Sequence, residues 1–375
     1  MLIQLAITGL LVALLPLAIV LTSNDTNKYR KLIWVTLFLT FDLIVFGAFT
    51  RLTDSGLGCP DWPGCYGQAN PLQAHADIRA AETLMPTGPV TVTKAWIEMI
   101  HRYLAMSVGI LIIAIMVVAW RKWLKSGRQL TSYAPALPTF LFLLVCIQGA
   151  FGAWTVTMKL QPIIVTIHLI LGLTLLGTLA ALTTRHSAHT TIAPAANTLF
   201  IPALLALGLL AAQIILGGWV STNYAVMACT DFPLCHGKLI PPMDFEHGFT
   251  LWRELGKTST GEFLSFEALT AIHWVHRNFA IIVISFVAWL ALSAYKTEGI
   301  QKIGKWILIL LLAQFTSGVS TIYFSWPIAI ALMHNGGAAL LVLLLVLLIY
   351  KTRTRAEQIT GADDGNRTHG SSLGS

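Results

Sequence analysis

Long apolar stretches separated by short polar segments run along the whole chain. A helix needs roughly 20 residues to cross a hydrocarbon core about 30 Å thick, and nine of the stretches reach that length. These predicted spans are residues 2–22, 31–50, 95–119, 136–157, 163–183, 197–220, 267–294, 304–325 and 327–350. The pattern therefore predicts an all-α polytopic membrane protein. The first stretch lacks a basic start and a small-residue cleavage site, which favours a retained helix over a signal peptide.

Charge is scarce and unevenly distributed. Only 11% of the residues are charged and 55% are hydrophobic, whereas soluble domains are about a quarter charged. If the N-terminus is outside, 15 of the 24 Lys and Arg residues fall in the inner segments. The positive-inside rule explains this excess, so the net charge of +7 indicates no nucleic-acid partner. We expect a multi-pass protein of the bacterial inner membrane, surrounded by lipid, with a cytoplasmic C-terminus.

Three sequence markers occur twice, in the same order and with nearly constant offset. The matched segments are FGAFTRLTDSGLGCPDWPGC (46–65) with LGGWVSTNYAVMACTDFPLC (216–235), EMIHRYLA (98–105) with HWVHRNFA (273–280), and residues 148–168 with 314–334. Each half then contains four spans, so both halves begin on the same side of the membrane. This indicates two pseudo-symmetric four-helix bundles in parallel repeat, plus an extra N-terminal transmembrane helix.

The repeat also predicts the domain boundaries. Residues 1–30 form the extra helix and an inner loop, and residues 31–190 form the first bundle. Residues 191–350 form the second bundle. The polar segment 351–375 is expected to be a disordered cytoplasmic tail.

Each half carries a cysteine pair in a long outer loop, with the two cysteines six positions apart. Because the compartment outside the membrane is oxidising, we expect disulfides Cys59–Cys65 and Cys229–Cys235, each closing one loop. One alternative is a four-thiolate zinc site, for which the spacing is wide. Another is a pair of thiols that act in catalysis or exchange electrons.

Five of the eleven histidines fall inside predicted spans: His101, His168, His273, His276 and His334. Ionisable groups inside a span are functional candidates by default, although a histidine can also bridge two helices by a hydrogen bond. The repeat places one histidine on the second and one on the fourth helix of each bundle, at similar depth. Two facing imidazoles can bind haem iron from opposite sides. We therefore expect two haem-sized sites near the outer face, each under its own cysteine loop.

The two halves differ three residues before the first histidine. Glu98 precedes His101, whereas His273 precedes His276, and a spacing of three puts each pair on one helix face. A carboxyl beside a bound ring suits proton transfer; the alternative is an ion pair with Lys94 or with the arginine at position 102. The first half therefore indicates a site of transformation and the second a resident cofactor. Spacing leaves open which of His273 and His276 binds iron, and the repeated His-Arg pair favours His276.

Other polar and small residues lie near these positions. Arg102 and Arg277 could reach haem propionates, or extend to the membrane interface instead. If His276 binds iron, His273 is free to hydrogen-bond a propionate or a water molecule. Gly172 and the glycines at 336–337 would let the backbone approach a flat ring.

Taken together, these motifs are similar to those of a known family. Residues 31–350 resemble the haem A synthase family. The resemblance rests on TRLTDSGLGCPDWPGC, EMIHR and the segment 148–168, each repeated in the second half. The resemblance implies an oxidoreductase of cytochrome oxidase assembly. Such an enzyme oxidises a ring methyl of haem O to a formyl group, by successive hydroxylations with oxygen from water. The extra helix at 2–22 departs from the eight-helix pattern of the family.

The resemblance also implies site residues and partners. His276 and His334 would ligate a resident haem b, His101 and His168 would flank the substrate haem O, and Glu98 would be the catalytic carboxyl. Haem O synthase and oxidase assembly factors are the implied protein partners, and a homo-oligomer is left open. The rival interpretations are a dihaem b-type electron-transfer cytochrome and a repeat-built transporter.

Overall fold

The computed structural model describes residues 1–187 and 193–369, with side chains up to Arg353. Within these residues the α-helices are α1 (Leu2–Thr22), α2 (Lys28–Leu52), α3 (His75–Leu84), α4 (Val92–Lys125), α5 (Ala136–Thr157), α6 (Pro162–Arg185), α7 (Phe200–Thr222), α8 (Phe245–Gly248), α9 (Phe266–Tyr295), α10 (Gln301–Tyr323) and α11 (Ile328–His369). Over the described ranges, nine helices are long and apolar enough to cross a membrane. The nine predicted spans are therefore confirmed, and the chain is a multi-pass membrane protein.

Local sequence explains where several helices begin. Asn27, Thr91 and Ser265 each precede a helix and accept a hydrogen bond from a backbone amide of the first turn. Such side-chain caps satisfy amides that have no partner within the helix. The short helices α3 and α8 lie in the two long loops that carry the cysteine pairs, where hydrophobic patterning did not predict them.

The membrane helices pack as two rings of four. In the first ring α2 contacts α4, α4 contacts α5, α5 contacts α6, and α6 returns to α2. In the second ring α7, α9, α10 and α11 contact one another in the same cyclic order. The rings join where α6 and α11 pack together, with α6 also against α7 and α11 also against α2. Every contact in one ring thus has a counterpart in the other.

The backbone conformation repeats as well. Non-glycine residues with positive φ recur at separations of 170 or 166 residues, in the pairs Asp54 and Tyr224, Tyr66 and His236, Lys159 and Ser325, and Leu160 and Trp326. Left-handed conformations are uncommon outside glycine, so four matched pairs indicate the same local turns in both halves. These equivalences support the duplication, which stays a prediction from the sequence.

Helix α1 stands outside both rings. It packs against α4, where Gly9 allows close approach to Met106, and Leu5 is buried beside Met99 and Tyr103. The boundaries of the predicted domains stay predictions. The predicted tail, 351–375, consists largely of residues whose side chains lie outside the described part.

Gly304 provides a test of the packing between α9 and α10. A Cβ at Gly304 would lie 2.5 Å from the carbonyl oxygen of Ala291 and from the amide nitrogen of Tyr295. Because both atoms belong to the backbone, Gly304→Ala should lower the melting temperature of the detergent-solubilised protein. Overpacking of this kind costs about 1–3 kcal/mol.

The matched control is Gly109→Ala in α4, where a Cβ would meet no atom within 4 Å. This control should melt at or slightly above the wild-type temperature, because alanine favours helix over glycine. Identical melting of both variants and the wild type would show that α9 and α10 are not packed this closely.

Candidate functional site

Both predicted disulfides are present. Cys59 is bonded to Cys65 and Cys229 to Cys235, and all four residues are buried. The four sulfurs are consumed by these bonds, so they do not form the alternative zinc site. Burial keeps both disulfides from solvent, which favours a structural role in the loops.

An aspartate carboxylate braces each loop from within. In the second loop Asp231 accepts hydrogen bonds from the amides of His236 and Gly237, at 2.6 and 2.9 Å. Asp61 makes the corresponding pair in the first loop, at 2.6 and 2.7 Å. The amides of Gly237 and then His236 hold the pKa of the Asp231 carboxyl below its usual range, because hydrogen bonds favour its charged form.

Arginines hold the loops onto the helix bundles. Arg102 of α4 donates to the backbone carbonyls of Asp61, Pro63 and Gly64 in the first loop, at 2.5 to 3.2 Å. Arg277 of α9 donates to the three corresponding carbonyls of the second loop, each at 2.9 Å. Both guanidinium groups are thus engaged by their loops, and their predicted contact with propionates stays a prediction.

The residues that differ between the halves occupy equivalent places. Glu98 is buried, and its Oε2 accepts a hydrogen bond of 2.7 Å from the amide of Cys59. His273, also buried, accepts a 3.2 Å bond at Nδ1 from the amide of Cys229. The other oxygen of Glu98 pairs with the guanidinium of Arg102, so the ion-pair alternative is present here. Because the ring of His273 is hydrogen-bonded to the loop amide, His276 is the better candidate for binding the iron.

The other four histidines lie against glycines of neighbouring helices. A Cβ at each glycine would lie only 2.9 to 3.3 Å from the imidazole. The pairs are Gly47 with His101, Gly152 with His168, Gly217 with His276, and Gly318 with His334. In each ring, one of these glycine–imidazole contacts joins the first helix to the second, and the other joins the third helix to the fourth. A larger residue would push the imidazole aside.

The histidines of each ring also form a pair. His101 on α4 and His168 on α6 stand on opposite helices of the first ring, and His276 on α9 and His334 on α11 stand on opposite helices of the second. Each ring therefore offers two imidazoles and, across the described residues, no cluster of three metal-binding side chains. Two imidazoles fit haem iron, which takes one axial ligand on each face. They do not fit zinc, which takes four ligands.

Comparison with known proteins identifies the family. Residues 30–346 match the family model COX15-CtaA, described as a cytochrome oxidase assembly protein. The chain belongs to the COX15-CtaA family. It is 41% identical over 325 residues to the haem A synthase of Shewanella oneidensis, covering 85% of this chain and 95% of that one. It is 27% identical to the haem A synthase of Rhodopseudomonas palustris strain HaA2, covering 84% and 88%, and 27% identical to that of Mesorhizobium japonicum, covering 84% and 87%.

In this COX15-CtaA protein, sequence reasoning missed three glutamines. The Nε2 atoms of Gln148, Gln213 and Gln314 donate to the backbone carbonyls of His168, His276 and His334, at 2.9 to 3.1 Å. Two of the glutamines, at 148 and 314, mark the start of the repeated segment, which was the available signal. Sequence alone did not indicate what they bind.

The glycines expected beside a flat ring have another neighbour. Gly172 lies against the amide of Gln148, and Gly337 lies against the amide of Gln314. These glycines therefore make room for the glutamines that hold the histidine backbone. The glycines at 47 and 217, which contact imidazoles, were not singled out from the sequence.

The contact between Gly217 and His276 can be tested by substitution. In Gly217→Ala, the new Cβ would lie 2.9 Å from Cε1 of His276, so the imidazole must turn. We expect less haem per protein after purification, measured by the ratio of Soret to protein absorbance. Gly208→Ala, on the same helix with no atom within 4 Å of its Cβ, is the control. Equal haem content in both variants would mean that the glycine does not position this ring.

Proposed function

We propose that this chain is a haem A synthase, an oxidoreductase that oxidises a ring methyl of haem O to a formyl group in cytochrome oxidase assembly. Family membership and the three haem A synthases similar over more than four fifths of the chain support the proposal. The observation that carries it is the pair of imidazoles on opposite helices of each ring, with a carboxyl, that of Glu98, one helical turn from a histidine in the first ring only.

The second ring is proposed to hold the resident cofactor. His276 and His334 would bind the iron of haem b, which supplies one-electron redox chemistry when bound. The protein contributes the geometry around it. Gln213 and Gln314 hold the carbonyls of the two histidines, and His273 braces the loop above them.

The first ring is proposed to hold the substrate. His101 and His168 would flank haem O, with Glu98 one helical turn closer to the outer loop than His101. Arg102 pairs with one oxygen of the Glu98 carboxyl, and the amide of Cys59 fixes its orientation. A carboxyl held in this way is suited to exchange a proton with the substrate or, when ionised, to stabilise positive charge that develops on it.

The overall reaction requires partners outside the chain. Conversion of a methyl and one water to a formyl group releases four electrons and four protons, so an external oxidant that accepts four electrons in total is needed. Haem O would come from the bilayer or from a haem O synthase, and the product would pass to oxidase assembly factors. The nine membrane helices found among the described residues are consistent with lateral entry of this apolar substrate.

One observation favours a second candidate, a dihaem b-type electron-transfer cytochrome. The ion pair of Glu98 with Arg102 and its bond to Cys59 would also serve a purely structural purpose. Acid extraction of the pigment from the purified protein separates the two candidates. Haem O or haem A beside haem b supports the synthase, and haem b alone supports the cytochrome.

Substitution of Glu98 tests the catalytic assignment. Glu98→Gln keeps an oxygen that can accept from the Cys59 amide but removes the charge, so the loop should stay in place. We expect haem A formation to fall about 10²- to 10⁴-fold, as on loss of a general base, while haem b stays bound. Glu98→Ala should lose haem A formation as well.

The measurement is chromatography of haems extracted from cells that express each variant with a haem O synthase. Glu262→Gln, an exposed loop carboxyl, is the control. Undiminished haem A from Glu98→Gln would remove this carboxyl from the mechanism.

The ligands of the resident haem are tested separately. His276→Ala and His334→Ala should each lose haem b, because an iron that has lost one of two axial imidazoles is held more weakly. His168→Ala, in the other ring, should retain it. Reduced-minus-oxidised spectra of the purified variants give the haem b content. Retention of haem b by both variants of the second ring would show that the cofactor lies elsewhere.

A further inference from the structure

The imidazoles of the second ring have side-chain partners on Nδ1. Ser317 Oγ lies 2.9 Å from Nδ1 of His334 and donates to the carbonyl of Gln314. A hydroxyl that donates to that carbonyl can at the same time accept from an Nδ1–H, and this tautomer leaves Nε2 free to bind iron. Gln213 Nε2, which donates to the backbone carbonyl of His276, also lies 3.1 Å from Nδ1 of that ring; an amide nitrogen only donates, so this contact does not favour an Nδ1–H.

The first ring has apolar residues at the same places. Ser317 stands one residue before Gly318, and Phe151 stands one residue before Gly152; each of these glycines contacts its imidazole. Neither Phe151 nor the leucine that matches Gln213 can hydrogen-bond a ring nitrogen. Accordingly, Nδ1 of His168 is buried without a hydrogen-bond partner, whereas its Nε2 lies 3.4 Å from the amide nitrogen of Gln148.

The matching leucine is identified by the same register. Gln213 stands four residues before Gly217, and Leu43 stands four residues before Gly47. Gly217 contacts the imidazole of His276, and Gly47 contacts that of the first-ring histidine. Among the described residues, no hydrogen bond reaches the ring of His101. This ring instead lies nearly parallel to that of Phe46, with 6.3 Å between the ring centroids.

Partners of this kind control how strongly an imidazole holds a metal. A hydrogen bond at the second ring nitrogen fixes the tautomer and the orientation of the ring, and raises its basicity. Loss of such a partner typically lowers metal affinity about 10- to 100-fold. The two rings, which offer the same pair of histidines, should therefore differ in how long they retain a haem.

We propose that Ser317 makes the second ring a retaining site, and that Phe151, at the matching place, makes the first ring an exchanging site. This inference rests on the proposed function, since it explains how one haem stays as cofactor while another enters and leaves. Ser317 is a positioning residue that acts through His334. Phe151 offers no hydrogen bond to Nδ1 of His168, so that the product is released.

The test measures haem release without turnover. Full-length protein in detergent is loaded with haem b at both sites, and transfer to excess apomyoglobin is followed by absorbance. Wild-type protein should release haem in two phases, a fast one from the first ring and a slow one from the second. Ser317→Ala should accelerate the slow phase about tenfold or more, whereas Ser317→Thr, which keeps the hydroxyl, should release haem at the wild-type rate.

The reverse substitution gives the first ring the missing partner. Phe151→Ser should slow the fast phase about tenfold or more relative to Phe151→Ala, which opens the same space without a hydroxyl. The reduction potential of the second-ring haem should also rise in Ser317→Ala, because a less basic ligand stabilises the oxidised iron less.

Two results would overturn the inference. One is an unchanged slow phase and potential in Ser317→Ala, and the other is equal release from Phe151→Ser and Phe151→Ala. Failure of the wild-type protein to convert haem O would instead overturn the proposed function. The two failures are distinguishable because release of haem b requires no catalysis.

Discussion

The close contact between an imidazole and a glycine of the neighbouring helix is the constraint on which the site depends. It occurs four times, once for each histidine of the two pairs. At these points two helix surfaces approach until only a hydrogen atom fits between the backbone and the ring. Rotation of the imidazole toward that helix is thereby blocked. Since association of membrane helices relies on packing and not on exclusion of water, such small residues also allow the helices themselves to meet.

The two cysteine-containing loops are tied to the same helices by polar contacts. Arg102 and Arg277 each directly follow a histidine of the site in the sequence. Each donates hydrogen bonds to three loop carbonyls. Glu98 and His273 bind the amide of the first cysteine of each loop. The disulfide fixes the shape of the loop, and these side chains fix its position above the ring. A loop and its histidine therefore cannot move independently.

Although the two halves share this arrangement, they differ at single positions near the histidines. Glu98 places a carboxyl where the second half has an imidazole, while keeping the bond to the loop amide. Ser317 supplies a partner to Nδ1 of His334, where Phe151 supplies none to Nδ1 of His168. Two rings with the same helix order would in this way hold the same kind of ligand for different lengths of time.

The sequence by itself determined the nine spans, the disulfide pairing and the equivalence of Glu98 with His273. Apolar length, cysteine spacing and a repeated motif are all properties of a linear chain. Only the tertiary structure decided which atoms meet, such as Arg102 with the loop carbonyls, Gln213 with His276, and Gly217 with the same ring. Such contacts join residues of different helices or loops, and depend on how each helix is rotated about its axis. No periodicity within a nearly uniformly apolar span fixes that rotation, because lipid and protein neighbours accept the same side chains.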